Sequence, residues 1–109
     1  MREIAEKYFK LFSAKDLDAL DPLFDGRATL RDWEIQAEGK SNVFVAMKEI
    51  FDSVESIKVN PINMVSTVSP PQVIAELDII VNNTEKLAVV DIIDFTDEGK
   101  ILGIRAFKG

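Results

Sequence analysis

Three side chains stand where their type and surroundings allow proton chemistry. Asp91 lies in Leu87-Ala88-Val89-Val90-Asp91-Ile92-Ile93-Asp94-Phe95, flanked on its own strand parity by Leu87, Val89, Ile93 and Phe95. An ionised carboxylate there is poorly solvated, so its pKa rises or it takes a partner. Asp94 lies on the other parity, with Val90 and Ile92. Asp32 follows Ala28 and Leu30 on one parity of an alternating stretch. Tyr8, the single tyrosine, falls on the apolar stripe of an amphipathic segment, where a buried hydroxyl needs a partner. Facing one cavity, a tyrosine and two carboxyls make a proton-transfer site. Taken singly, each has a plainer reading: a strand aspartate is usually solvated, and a tyrosine on a helix stripe is usually core. Whether the three meet is set by the fold and not by their spacing along the chain.

The rest of the composition narrows the chemistry. Neither His nor Cys occurs among the 109 residues, which excludes thiol nucleophiles, disulfides, His-based triads and nearly every zinc site. Any proton transfer must then use carboxylates, Tyr or Lys. The formal charge of −6, with no basic cluster, points away from nucleic acid. No segment approaches the roughly 18 apolar residues of a membrane span, and the mixed charges of Met1–Lys7 are unlike a secretion signal. The expected compartment is the cytoplasm. The length, at 47% apolar residues, suits one domain over 1–109 with a single core.

The elements that must position these side chains can be read from periodicity. Residues 3–13 form an amphipathic helix, with Ile4, Ala5, Tyr8, Phe9, Leu11 and Phe12 on one side. Asp16 caps a second, short helix with Leu17, Leu20 and Phe24 as its stripe, limited by Pro22. Residues 27–35 alternate as a strand that carries Asp32 with Ala28 and Leu30, and Trp33 and Ile35 on the opposite face. Ser41 is the expected cap of a third helix with Val43, Met47, Ile50 and Val54 as its stripe, flanked by Phe44 and Phe51. Strands follow at 57–68, 73–81, 86–95 and 100–108, with Pro61 marking an edge or a bulge. The order α-α-β-α-β-β-β-β implies an α+β fold, three helices packed on the concave face of a curved antiparallel sheet. Apolar residues on both strand parities leave the convex face to be covered, and a homodimer is the simplest cover.

Two stretches resemble the nuclear-transport-factor-2-like, or SnoaL-like, superfamily of cone-shaped domains. One is Asp16-Leu17-Asp18-Ala19-Leu20 through Leu23-Phe24 and Ala28-Thr29-Leu30; the other is Phe95-Thr96-Asp97-Glu98-Gly99-Lys100-Ile101 through Ile104-Arg105-Ala106-Phe107. Within it the chain looks like a bacterial Δ5-3-ketosteroid isomerase. Tyr8 precedes Ala14-Lys15-Asp16-Leu17-Asp18, Asp32 ends Ala28-Thr29-Leu30-Arg31-Asp32, and Asp91 lies in the strand before the Gly-Lys hairpin. The resemblance implies that Asp32 is the base, that Tyr8 and a protonated Asp91 form an oxyanion hole for an enolate, and that no metal or organic cofactor is needed. Asp91 has the more apolar strand and suits the neutral acid; Asp32, near Arg31, Glu34 and a loop, suits the ionised base. The implied ligand is a steroid or another flat apolar ketone, lined by Phe12, Ile50, Phe51, Leu87 and Val89. The chain departs from that pattern at Phe51, where a buttressing Tyr is expected, at Trp33 in place of Pro, and at Lys108 in place of an aromatic at the pocket mouth.

Two other readings stand beside this one. A ligand-binding or dimerisation module of the same fold would bind enolate-like phenols without turnover. A polyketide-cyclase or hydratase relative would share the fold, although such cyclases often pair an acid with His, which this chain lacks.

Overall fold

The computed structural model describes residues 1–109. Its elements are α1 (Arg2–Ser13), α2 (Leu17–Leu20), a 3-10 turn (Asp21–Leu23), β1 (Phe24–Arg31), β2 (Gln36–Glu38), α3 (Lys40–Ser53), β3 (Ile57–Val68), β4 (Pro71–Val81), β5 (Glu85–Phe95) and β6 (Ile101–Lys108). The strands form one six-stranded sheet in the order β2-β1-β6-β5-β4-β3. All neighbours are antiparallel except β1 and β6, which run parallel. No helix is long and apolar enough to cross a membrane.

The alternation read along the strands sorts side chains as expected. Val73, Ala75 and Leu77 of β4 and Val89, Asp91 and Ile93 of β5 are buried on the face that the helices cover. Phe9 of α1 and Val43 and Met47 of α3 complete the core above that face. Each large apolar side chain fully buried there contributes about 1.5–3 kcal/mol. Asp16 caps α2, its Oδ1 accepting from the Ala19 N–H at 3.1 Å. Phe24, expected on that short helix, instead begins β1, because Pro22 ends the helix and a 3-10 turn leads out of it. Pro61 marks both of its possible features: β3 is an edge strand, and the register shifts between Pro61 and Asn63.

Two local differences bear on the site. The strand expected over 27–35 ends at Arg31. Asp32 Oδ1 accepts from the N–H groups of Glu34 at 2.7 Å and Ile35 at 2.6 Å, and the Asp32 N–H donates to the Ile35 carbonyl at 2.9 Å. This side-chain turn folds the chain back, and β2 then pairs antiparallel with β1 from Arg31↔Gln36 to Thr29↔Glu38. The cap of α3 is Gly39, not Ser41. Gly39 has φ +86°, a conformation that favours glycine, and its carbonyl accepts from the Val43 N–H at 2.9 Å.

Candidate functional site

Register explains why a cavity opens where it does. Across the concave face, Ala75, Asp91 and Ala106 lie side by side on β4, β5 and β6. Asp91 is thus flanked by two small residues, which leave space above its carboxyl. Leu30 and Arg31 of β1 pair with Ile104 and Arg105 of β6, so Asp32 follows at the level of Ala106. The two aspartates therefore end up on one transverse row, two strands or about 10 Å apart in backbone position. The result is a largely apolar cavity of about 260 Å³, walled by Tyr8, Asp32 and Asp91 among others.

Each of the three is held differently. Tyr8 is buried on α1 among aromatic rings, 5.4 Å from Phe9, 5.7 Å from Phe12 and 5.9 Å from Phe24 between ring centroids. Its ring is thus fixed by packing, while its hydroxyl makes no hydrogen bond to the protein. Burial, reinforced by the nearby Asp91 carboxyl, holds the Tyr8 hydroxyl well above its ordinary pKa, so it stays a neutral donor. The carboxyl of Asp91, a residue 7% exposed, also makes no hydrogen bond within the protein. Burial, and then the negative charge of Asp32, raise its pKa to about 7. No buried side-chain oxygen or nitrogen is sealed away without a partner, so these two groups reach the cavity space. Asp32 is partly exposed and oriented by its two backbone donors, which leaves Oδ2 free of those bonds.

Four of the five expected lining residues, Phe12, Ile50, Leu87 and Val89, stand on the cavity wall. Phe51 does not. It follows Val43 and Met47 at intervals of four residues and joins their buried stripe, whereas Ile50, Ser53 and Val54 form the face of α3 and its end that meets the cavity. Phe51 instead supports the wall from behind, edge-on to Phe12 with centroids 4.8 Å apart. Sequence parity also missed Leu77 and Ile79, although they share the face of β4 with Val73 and Ala75. Trp33, Glu34 and Ile35 reach the cavity because of the turn at Asp32, which alternation along a continuous strand would not produce.

At the cavity rim, the Lys108 ammonium lies over the Trp33 ring, 5.3 Å from its centroid. Trp33 thus supplies the aromatic surface at the mouth that the last strand does not. No group of three or more His, Cys, Asp or Glu side chains is arranged to hold a metal ion.

The model of the SnoaL-like domain family matches residues 5–104. No curated protein matches the chain in sequence. SalBIII, an epoxide hydrolase/cyclase-like enzyme with a role in pyran ring formation in the polyether salinomycin, superposes with a TM-score of 0.84 at 24% identity, over 99% of this chain and 89% of its own. A candidate polyketide cyclase from Sinorhizobium meliloti gives 0.84 at 15% identity, over 97% of this chain and 94% of its own. Nuclear transport factor 2 from Cryptosporidium parvum gives 0.82 at 13% identity, over 99% and 90%. At these identities the likeness establishes the fold, which is shared by proteins of different function.

Proposed function

We propose that this chain, which belongs to the SnoaL-like domain family, is an isomerase that moves a carbon–carbon double bond into conjugation with a ketone. The observation that carries the reading is the convergence of Tyr8, Asp32 and Asp91 on one apolar cavity, with the Tyr8 and Asp91 polar groups unclaimed by the protein. The Asp32 carboxylate removes the proton from the carbon between the carbonyl and the double bond. The electron pair moves onto the ketone oxygen as a dienolate. Tyr8 and protonated Asp91 donate hydrogen bonds to that oxygen, where charge develops. Asp32 then returns the proton two carbons away, so the carbonyl re-forms with no net oxidation or reduction.

The cavity of about 260 Å³ lies just below the usual range for ligand pockets. It suits a flat ketone of two or three fused rings, and a full steroid would extend through the mouth. Purified protein should convert a β,γ-unsaturated cyclic ketone to the conjugated enone, followed by the rise in ultraviolet absorbance. Asp32→Asn should lower kcat by at least about a hundredfold. Undiminished turnover in that variant would remove Asp32 from the mechanism. Binding of phenols without turnover of any ketone would return the domain to a ligand-binding module.

The fold shared with cyclase-like proteins supports a second reading, in which the same enolate attacks a second carbonyl of its own substrate and closes a ring. Product analysis with a diketone separates the two, since ring closure consumes a carbonyl and double-bond transfer does not. We also propose a homodimer through the convex face of the sheet.

A further inference from the structure

Resting on the enolate-site reading of the cavity, we infer that its ligand carries an anionic group at the end remote from the ketone, and that Lys108 receives it. Ile104 and Ala106 of β6 line the cavity, and Lys108 is the next residue on the same parity. It pairs in register with Val89, another wall residue, just as Ala106 pairs with Asp91. Lys108 is therefore one step outward from the oxyanion donors on the same face, about 7 Å along the strand, plus the reach of its own side chain. The Trp33 ring under the ammonium holds it beside the mouth.

The charge there is uncommitted. The structure contains seven ion pairs, and Lys108 is in none of them. Glu34 also lines the mouth but is not paired with it, and Asp32 Oδ1 is engaged by two backbone donors. A flat ligand with its oxygen at Tyr8 and Asp91 thus ends near a cation already resting on an aromatic face. A carboxylate at that end meets an opposite charge beside apolar surface, where screening is weaker than in open water.

The probe pair is 6-hydroxy-2-naphthoate and its methyl ester, whose phenol mimics the enolate and whose opposite end is charged or neutral. In calorimetric titration at low salt the full chain should bind the naphthoate about fivefold more tightly than the ester, a preference that shrinks as salt is raised. Lys108→Met should abolish the preference and Lys108→Arg should keep it. Equal affinities in the unaltered protein, tighter binding of the ester, failure to bind the naphthoate, or a preference that survives in Lys108→Met would each overturn the inference. The outcome is separable from that of the isomerase reading. A Lys108-dependent preference with no ketone turned over leaves the anion site standing alone, and turnover of a neutral ketone with no preference leaves the isomerase without it.

Discussion

Asp91 gives the molecule a pH dependence opposite in sign to that of an ordinary paired carboxylate. Its pKa is about 7 in the folded chain, raised by burial and by Asp32, against about 4 when unfolded. Between these values the folded state binds more protons than the unfolded one. This residue's contribution is therefore most favourable below about pH 4 and is lost as pH rises through 7, by on the order of 4 kcal/mol. Asp91→Asn keeps the size and a hydrogen-bond donor but does not titrate. Urea unfolding at pH 5 and pH 8 should show a smaller loss of stability in the variant than in the unaltered protein; equal slopes would mean that Asp91 is an ordinary acid. Tyr8→Phe separates catalysis from packing. The hydroxyl makes no hydrogen bond to the protein, so stability should change by less than about 1 kcal/mol, whereas turnover should fall by about a hundredfold or more if it donates to the enolate. Asp91 and Tyr8 were legible in the sequence because strand parity and helical spacing place a side chain on a face. Phe51 lies off the wall because neighbouring residues on a helix differ by about 100°, and it falls on the buried stripe of Val43 and Met47 while Ile50 faces the cavity. The Lys108–Trp33 contact was invisible because it joins residues 75 positions apart.

The elements around the site are fixed by backbone geometry as much as by apolar periodicity. Ser41 fits the composition rule for a helix cap, but Gly39 occupies the position, with φ +86° and open space where a Cβ would point. Gly39→Ala should therefore cost about 1 kcal/mol through backbone strain alone, while Ser41→Ala, at an exposed residue, should change stability by less than about 0.5 kcal/mol. Equal losses in chemical denaturation would restore Ser41 as the cap. The other end of α3 is held from a distance. Lys15 Nζ donates to the carbonyls of Phe51 at 2.8 Å, Val54 at 2.6 Å and Glu55 at 3.2 Å. It ties the turn after α1 to the end of α3, closing the helices over the cavity. Lys15→Met keeps the stem but leaves those carbonyls without the ammonium, and should cost about 1–2 kcal/mol of unfolding free energy. The helix spans were readable because their stripes are long. A lysine acting as a cap 36 or more residues away carries no local signature, and β2 was missed because three residues are too few to show alternation.

At the scale of the whole molecule, the two faces of the sheet have unequal claims on solvent. The concave face is closed by α1 and α3. On the convex face Val65 and Ile74 pair across β3 and β4, and Val90 and Phe107 pair across β5 and β6, yet all four are exposed. Ile92 pairs with Ile74 and extends the first row onto β5, two residues from Val90, which joins the rows into one patch. Beside the patch Arg105 meets Asp94 at 3.4 Å and Lys86 meets Asp78 at 3.2 Å, while Glu76, exposed and in register with Val90, forms no ion pair and is the charge that a second copy must accommodate. Edge-on pairing is less favourable, because β3 carries Pro61 and a register shift at its free edge. These features favour two copies meeting face to face, each presenting the same patch to the other. Since Val90 and Asp91 are consecutive on β5, that contact would also steady the strand that carries the buried acid. In light scattering at micromolar concentration the chain should have twice its 12.2 kDa mass, and Val90→Asp should return it to a single copy, by placing an unpaired charge in the patch. Leu87→Ala, altering the cavity side of the same strand, should leave the mass doubled while weakening phenol binding. A single-copy mass for the unaltered chain would show that the convex face is not self-complementary.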